Sequence, residues 1–239
     1  MADFRVIEVK RSIFADNNAD ADKLREELRQ QNTYLLNLMS SPGAGKTSVL
    51  KRTIAALKDE MRIGVMEADI DSDVDAQAIT QAGARAIQIH TGGMCHLDAD
   101  MTRQGIREFG TDDLDLVVLE NVGNLVCPAE FDTGSTKNAM ILSVPEGDDK
   151  PLKYPLMFTV CDVVLINKCD ALAVFDDFDT EAVKERICRL NPKAEILFVS
   201  AKTGEGFDSW LAWLRREVSQ YQGAVISGTP PLAADGKSI

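Results

Sequence analysis

The chain has 239 residues, of which 45% are hydrophobic and 27% charged, a composition typical of a globular protein with a full hydrophobic core. The formal net charge of −12 argues against non-specific binding to nucleic acid or to an anionic membrane surface. No apolar run approaches the ~18 residues of a membrane span, and the amino terminus lacks a signal-peptide core, so we expect a cytoplasmic protein. Five scattered cysteines indicate reduced thiols.

Residues 1–32 form an N-terminal segment that precedes the first long apolar strand. It begins with a short apolar patch and continues as a charged helix over residues 18–32, in which Leu24 and Leu28 share one side. Two leucines make a stripe too narrow for an independent core. The pattern therefore favours a peripheral helix packed on the main domain, and a docking segment for a partner is the alternative.

Residues 35–50, LLNLMSSPGAGKTSVL, combine an apolar strand, a glycine loop and the start of a helix. This is the setting of a phosphate-binding loop, although Ser40 stands where GxxxxGK[ST] has its first glycine. Glycines let backbone N–H groups approach phosphate oxygens, and the start of the helix adds its dipole. Lys46 would contact the β- and γ-phosphates, and Thr47 would bind Mg²⁺. The predicted phosphate-binding residues are Gly43, Ala44, Gly45, Lys46, Thr47 and Ser48. An ordinary glycine turn is the alternative.

From residue 33 onward, apolar strands alternate with helical segments. The strands are expected from Tyr34 and at 63–66, 84–89, 116–119, 140–144, 163–166 and 196–199. The helices are expected at 76–82, 97–109, 180–190 and 209–221. This alternation predicts an α/β fold of three layers, a mostly parallel sheet with helices on both faces, over residues 33–222. Residues 223–239, rich in Gly, Pro and Ala, are expected to be a mobile end.

The second nucleotide motif is the tetrapeptide NKCD, which follows the strand VVLI. The carboxylate of Asp170 can accept hydrogen bonds from N1–H and the exocyclic amine of guanine, which adenine does not offer. Asn167 and Lys168 would brace the loops around the base. The triplet SAK after the strand ILFV would add a backbone N–H to the guanine oxygen. The predicted base-binding residues are Asn167, Lys168, Asp170, Ser200, Ala201 and Lys202.

Acidic residues lie at two further strand ends. Asp69 follows the second strand of the domain, and Glu120 closes the fourth. Opposite a phosphate loop, such carboxylates can hold Mg²⁺ and orient the attacking water, so Lys46, Asp69 and Glu120 are the predicted catalytic groups. The backbone N–H of Gly123 is placed to sense the γ-phosphate. The alternating carboxylates at 69–75 also suit a solvated helix cap.

Cys95 and His96 are adjacent after the third strand, and Cys127 follows the fourth. Neighbouring parallel strands could bring two thiolates and an imidazole together, a donor set that suits Ni²⁺ or Zn²⁺ and does not suit Mg²⁺. Asp98 and Asp100 are nearby carboxylates that could complete the coordination shell of the metal. From spacing alone, two buried cysteines and a helix-capping histidine are the favoured interpretation, and the metal site is the alternative.

Five segments taken together carry a resemblance to a known family: SSPGAGKTS, TGGMCHLDADM, ENVGNLVCPAEFD, SVPEGDDKPLKYP and NKCD. From about residue 37 to the C-terminal helix, the chain resembles the nickel-insertion GTPases of hydrogenase maturation, the HypB family. The related urease nickel-insertion G proteins carry Cys-Pro-His in place of adjacent Cys-His, so they match less well. The resemblance implies a SIMIBI-type P-loop GTPase, related to the nitrogenase iron protein and the signal-recognition particle.

The resemblance also implies a function. Members hydrolyse GTP slowly to support nickel delivery to the large subunit of [NiFe]-hydrogenase, they form homodimers in response to nucleotide and metal, and they work with a small zinc-bearing nickel metallochaperone. By this resemblance, Cys95, His96 and Cys127 are a Ni²⁺ or Zn²⁺ site near the dimer interface. The nucleotide and Mg²⁺ positions match at Lys46, Thr47, Asp69, Asn167, Lys168 and Asp170.

The chain also departs from the family pattern. No Cys precedes Cys95 and no His precedes His90, so neither an N-terminal CxxCGC nickel site nor a histidine-rich nickel store is expected. Ala78 stands where many members have Arg. Two other functions compete: an ATP-dependent kinase or synthetase, which NKCD argues against, and a non-enzymatic metal reservoir structured by nucleotide.

Overall fold

The computed structural model describes residues 5–8, 17–69 and 74–227, with side chains over 17–68 and 77–225. The predictions that fall on Asp71, Asp73 and residues 228–239 therefore lie outside the described residues. Among the helices described, none combines the length and the apolar character that crossing a membrane would require.

Strands and helices alternate along almost all of the described chain. The strands are β1 (Arg5–Glu8), β2 (Tyr34–Ser40), β3 (Ile63–Asp69), β4 (Arg85–His90), β5 (Leu116–Glu120), β6 (Lys137–Ser143), β7 (Val163–Asn167) and β8 (Glu195–Phe198). The helices are α1 (Asn17–Gln31), α2 (Lys46–Leu57), α3 (Val74–Ala82), α4 (Ala99–Phe109), α5 (Cys127–Glu130), α6 (Lys150–Lys153), α7 (Pro155–Thr159), α8 (Thr180–Leu190) and α9 (Phe207–Ser227).

The eight strands of the described chain form one sheet in the order β1-β4-β3-β5-β2-β6-β7-β8, and every neighbouring pair is parallel. The prediction of a mostly parallel α/β sheet is confirmed. Strands β3, β4 and β1 lie to one side of β5 and β2, and strands β6 to β8 lie to the other. The carboxyl ends of the central strands therefore border the crevice in which doubly wound sheets bind their ligands.

Alternating residues of β2 pack into different layers because successive side chains of a strand point to opposite faces. Leu36 and Leu38 belong to the core cluster that includes residues of α2, α3 and α9. Leu35 packs with α1 and α4, and Met39 packs with α7 and α8. All four are fully buried, so the strand that leads into the glycine loop is held from both faces.

Helix α1 packs on this second face, through Leu24 and Leu28. Its narrow apolar stripe is extended by Ala21, which is also fully buried. This narrow stripe is enough to hold α1 on the domain, because it adds to an existing core and does not have to form one of its own.

Several predicted boundaries differ from the observed ones, most clearly those of β6 and α9. Strand β6 begins at Lys137 and ends at Ser143, and Val144 starts a short 3₁₀ turn whose capping box joins Ser143 to Glu146. Helix α9 runs through Ser227, so the segment predicted to be mobile from Gly223 begins inside a helix. One glycine costs a helix only about 1 kcal/mol, and Val225 packs against the core and offsets that cost.

We expect Leu36→Ala to lower the free energy of unfolding by about 2–5 kcal/mol, because the cavity lies in a fully buried layer. The matched control is Leu152→Ala, since Leu152 is 64% exposed and the same change there should stay within about 0.5 kcal/mol. Urea denaturation of both variants measures the difference, and similar losses would contradict the assignment of Leu36 to the core.

Candidate functional site: a glycine loop beside a thiol–imidazole cluster

The glycine loop lies between β2 and α2. Gly43 and Gly45 have φ values of +76° and +103°, which residues with a Cβ rarely adopt. Ser40, at the position of the first glycine in the motif, is not among the positive-φ residues of the described chain, so a serine is accommodated there. Lys46 Nζ donates to Ser40 Oγ over 3.0 Å, which folds the lysine back along the loop.

The side-chain amide of Asn167 joins three segments at the carboxyl edge of the sheet. Its Nδ2 donates to the carbonyl oxygen of Ala44 over 2.9 Å, and its Oδ1 accepts from the backbone N–H of Ala201 over 3.2 Å. A Cβ on Gly45 would lie 2.5 Å from Asn167 Nδ2, so only glycine fits at that point. Lys168, in the left-handed region at φ +60°, donates to the carbonyl oxygen of Gly43 over 2.8 Å.

Asp170 lies beside the SAK loop. Its Oδ1 accepts a hydrogen bond of 2.6 Å from Ser200 Oγ, and the same hydroxyl accepts from the backbone N–H of Thr203. Ser200 is fully buried, whereas Lys202 is exposed. The structure therefore brings the NKCD and SAK segments together and orients a carboxylate between them.

Glu120 lies at the end of β5 and is buried. It is in register with Glu67 of β3, so both carboxyl groups point to the same face of the sheet, the face of Leu38 and α2. Glu67 had not been predicted as a site residue, although it stands two positions before Asp69 in the same strand. The backbone of Asp69 ends β3, and its side chain lies outside the described residues.

Gly123 packs directly on the glycine loop. A Cβ built on Gly123 would lie 3.3 Å from both the backbone nitrogen and the Cγ of Pro42. The loop that follows β5 therefore packs against the loop that follows β2. Because packed groups transmit strain, a displacement of one loop shifts the other.

The side chains of Cys95, His96 and Cys127 converge, with one donor atom from each lying within 4.8 Å of the others. Both thiols are half-buried, and the imidazole is 4% exposed. Cys95 Sγ lies 3.9 Å from His96 Nδ1. A hydrogen bond with Cys127 and partial burial raise the pKa of the Cys95 thiol. Two thiols and an imidazole at this separation can close around one soft or borderline cation.

Two neighbours hold this cluster in place. The ring of Phe131 stacks on the His96 imidazole at 3.8 Å between centroids and 10° between planes. Asn124 Oδ1 accepts from the backbone N–H groups of Val126 and Cys127, which orients the first turn of α5. Neither residue had been predicted, because their partners are distant in sequence or belong to the backbone.

Asp98 and Asp100 are engaged elsewhere. Asp98 caps α4 by accepting from the backbone N–H of Met101, and Asp100 accepts from Gln104 and Arg103. Neither is part of the cluster formed by the two thiols and the imidazole.

Glu146 was also missed from the sequence. It accepts from the backbone N–H and the hydroxyl of Ser143 and from the hydroxyl of Ser41, so it ties the first half of the glycine loop to the end of β6. The detectable signal was the capping-box pattern S-x-x-E at residues 143–146.

Comparisons with known proteins place these features in one family. A family model described as "CobW/HypB/UreG, nucleotide-binding domain" matches residues 34–198. A hydrogenase maturation factor HypB from Rhizobium leguminosarum bv. viciae is 45% identical over 227 residues, which are 95% of this chain and 75% of the relative.

Two solved structures are similar throughout the domain. HypB from Archaeoglobus fulgidus superposes with a TM-score of 0.80 at 39% identity, covering 86% of this chain and 100% of the other. HypB from Helicobacter pylori, solved in complex with nickel, gives a TM-score of 0.79 at 38% identity, covering 86% and 96%.

We expect Gly45→Ala to destabilise the protein more than Gly43→Ala. Both alanines would adopt a left-handed conformation that costs about 1–2 kcal/mol, but only at position 45 would the Cβ also displace Asn167 and cost about 1 kcal/mol for its bond to Ala44. Around Gly43 no heavy atom lies within 4 Å of the added carbon. Urea denaturation measures both losses, and equal values would show that the close approach to Asn167 has no energetic effect.

Proposed function

Because the chain belongs to the CobW/HypB/UreG family, among the hydrogenase maturation factors of the HypB type, we propose that it is a GTP-hydrolysing metallochaperone that supports nickel insertion into [NiFe]-hydrogenase. Nickel is the cargo in this proposal, held by Cys95, His96 and Cys127, with Zn²⁺ as the competing ion. The donor set supports this assignment, and so does the nickel complex of the Helicobacter pylori relative.

We assign the nucleotide roles from the sequence motifs, and the contacts of the loops support the assignment for Lys46 and Asp170. Lys46 and the N-terminus of α2 would stabilise the negative charge of the phosphates, and Thr47 with Asp69 would hold Mg²⁺. Asp170, oriented by Ser200, would select guanine over adenine. Magnesium would supply charge neutralisation at the phosphates.

Glu120 is the group we assign to the attacking water, because it ends β5 on the face of the sheet that α2 covers. Water attacks the γ-phosphorus, the bond to the β–γ bridging oxygen breaks, and GDP and inorganic phosphate leave. With no arginine finger identified, we expect a low intrinsic rate.

One observation supports the coupling between nucleotide and metal. The segment 120–127 contacts the glycine loop and also supplies one of the three donors, the thiol of Cys127. Gly123 packs on Pro42, and Cys127 lies four residues further along. A nucleotide-dependent position of this segment would thus set how well Cys127 reaches Cys95 and His96. Two ligands that bias the same segment must affect each other reciprocally.

In this mechanism, GTP fixes the position of the segment 120–127, and this assembles the three donors at a homodimer interface. Hydrolysis loosens them, and nickel passes to or from a partner. Three donors from one chain leave a coordination position for the exchange or for the second subunit. The expected partners are a small zinc-bearing nickel metallochaperone and, indirectly, the hydrogenase large subunit.

The direct test is the Ni²⁺ affinity of the protein loaded with GDP compared with a non-hydrolysable GTP analogue. We expect the two affinities to differ by about 5- to 150-fold, the usual range for coupled sites. Cys95→Ser should remove the high-affinity binding, whereas Cys188→Ser, at an exposed cysteine of α8 outside the cluster, should preserve it. Equal affinities in the two nucleotide states would exclude the coupling.

A second test separates catalysis from metal binding. Lys46→Ala should abolish GTP turnover and leave the Ni²⁺ affinity of the nucleotide-free protein largely unchanged, since Lys46 contacts the glycine loop and not the cluster. Lys51→Ala, at an exposed position of the same helix, is the matched control and should keep normal turnover. Phosphate release and a Ni²⁺ titration give the two readouts; full turnover by the Lys46 variant would refute the assigned role.

A further inference from the structure

The first residue of helix α1 contacts the two chain segments that continue from the thiol–imidazole cluster. Asn17 Oδ1 accepts a hydrogen bond of 2.9 Å from the backbone N–H of Ala99, and Asn17 Nδ2 donates one of 3.0 Å to the carbonyl oxygen of Asp132. A single side-chain amide therefore bridges two segments that are more than 30 residues apart in sequence.

These two segments are the ones that carry the donors. Ala99 stands three residues after His96, at the start of α4. Asp132 directly follows Phe131, whose ring stacks on His96, and lies five residues after Cys127. The amide of Asn17 thus links the segment that supplies Cys95 and His96 to the segment that supplies Cys127.

The rest of α1 fixes Asn17 in place. Arg25 donates to Asp132 Oδ1 over 2.5 Å and to the carbonyl oxygen of Ser135 over 3.1 Å. Leu24 packs so closely on Gly134 that a Cβ there would lie 2.8 Å from Leu24 Cδ2. On the other side, Asp20 pairs with Arg103 of α4 at 3.6 Å. The helix therefore contacts both donor-bearing segments along its length. The partners of Asn17, Ala99 and Asp132, lie within three residues of His96 and five residues of Cys127.

We propose that Asn17 is a positioning residue that sets the separation of the Cys95–His96 pair from Cys127 and so tunes the affinity of the cluster for a soft divalent cation. The inference rests on the proposed metal site. Groups that orient ligands without touching the ion typically contribute 10- to 100-fold to metal affinity. Asn17 acts through the backbone on either side of the donors, so its loss should cost about tenfold, at the lower end of that range.

The test uses the full chain and Ni²⁺ alone, with affinity measured by competition against a chelator and the site followed by its thiolate-to-nickel absorption band. We expect Asn17→Ala to weaken Ni²⁺ binding about tenfold and to shift the band, with unchanged GDP affinity. Asn17→Asp keeps the acceptor for the N–H of Ala99 and loses the donor to Asp132, so an intermediate affinity is expected. Gln30→Ala is the matched control, since this exposed amide of α1 donates to Glu26 of the same helix.

The outcomes distinguish the inference from the function on which it rests. If Asn17→Ala binds Ni²⁺ as tightly as Gln30→Ala while Cys95→Ser does not, the metal site stands and the inference is wrong. If Cys95→Ser and Cys127→Ser bind as the unaltered chain does, the proposed site itself is wrong, and the inference fails with it. If both Asn17 variants lose GDP affinity and thermal stability together with Ni²⁺ affinity, Asn17 supports the fold in general, which also overturns the positioning role.

Discussion

The arrangement of the nucleotide site depends on the side-chain amide of Asn167. It holds the carbonyl oxygen of Ala44 on one side and the N–H of Ala201 on the other, while the backbone of Gly45 passes too close for any side chain. Because a buried amide gains most when both of its ends are bonded, this contact favours one relative position of the glycine loop, the NKCD segment and the SAK segment. The three segments that carry the predicted phosphate and base contacts are thereby held in one geometry.

The cluster of Cys95, His96 and Cys127 is built differently. Its donors come from loops and a single short helical turn, and what holds them is contact with neighbours: Phe131 on His96, Asn124 on the start of α5, and Asn17 between the two segments. Loops held by a few polar contacts are less rigid than strands buried on both faces. The protein thus combines a firmly held glycine loop with a less rigid thiol–imidazole cluster. The packing of Gly123 on Pro42 connects the two.

The sequence allowed the parallel sheet and the motifs at its edge to be predicted, because buried strands read as continuous apolar runs and glycine loops have a strong local pattern. It did not allow Glu67, Glu146 or Asn17 to be predicted as site residues, since their importance depends on register or on backbone partners far along the chain. The end of α9 was misplaced because a single glycine was read as a stop, whereas packing of Val225 carries the helix onward.

The stacking of Phe131 on His96 couples the imidazole to the stretch of backbone that carries Cys127. Because one face of the imidazole is covered at 3.8 Å, the ring can move toward that side only if the phenyl group moves as well. Phe131 lies only four residues beyond Cys127, on the same stretch of backbone. A movement of that stretch would therefore shift the Cys127 thiol and the ring that packs on His96 together.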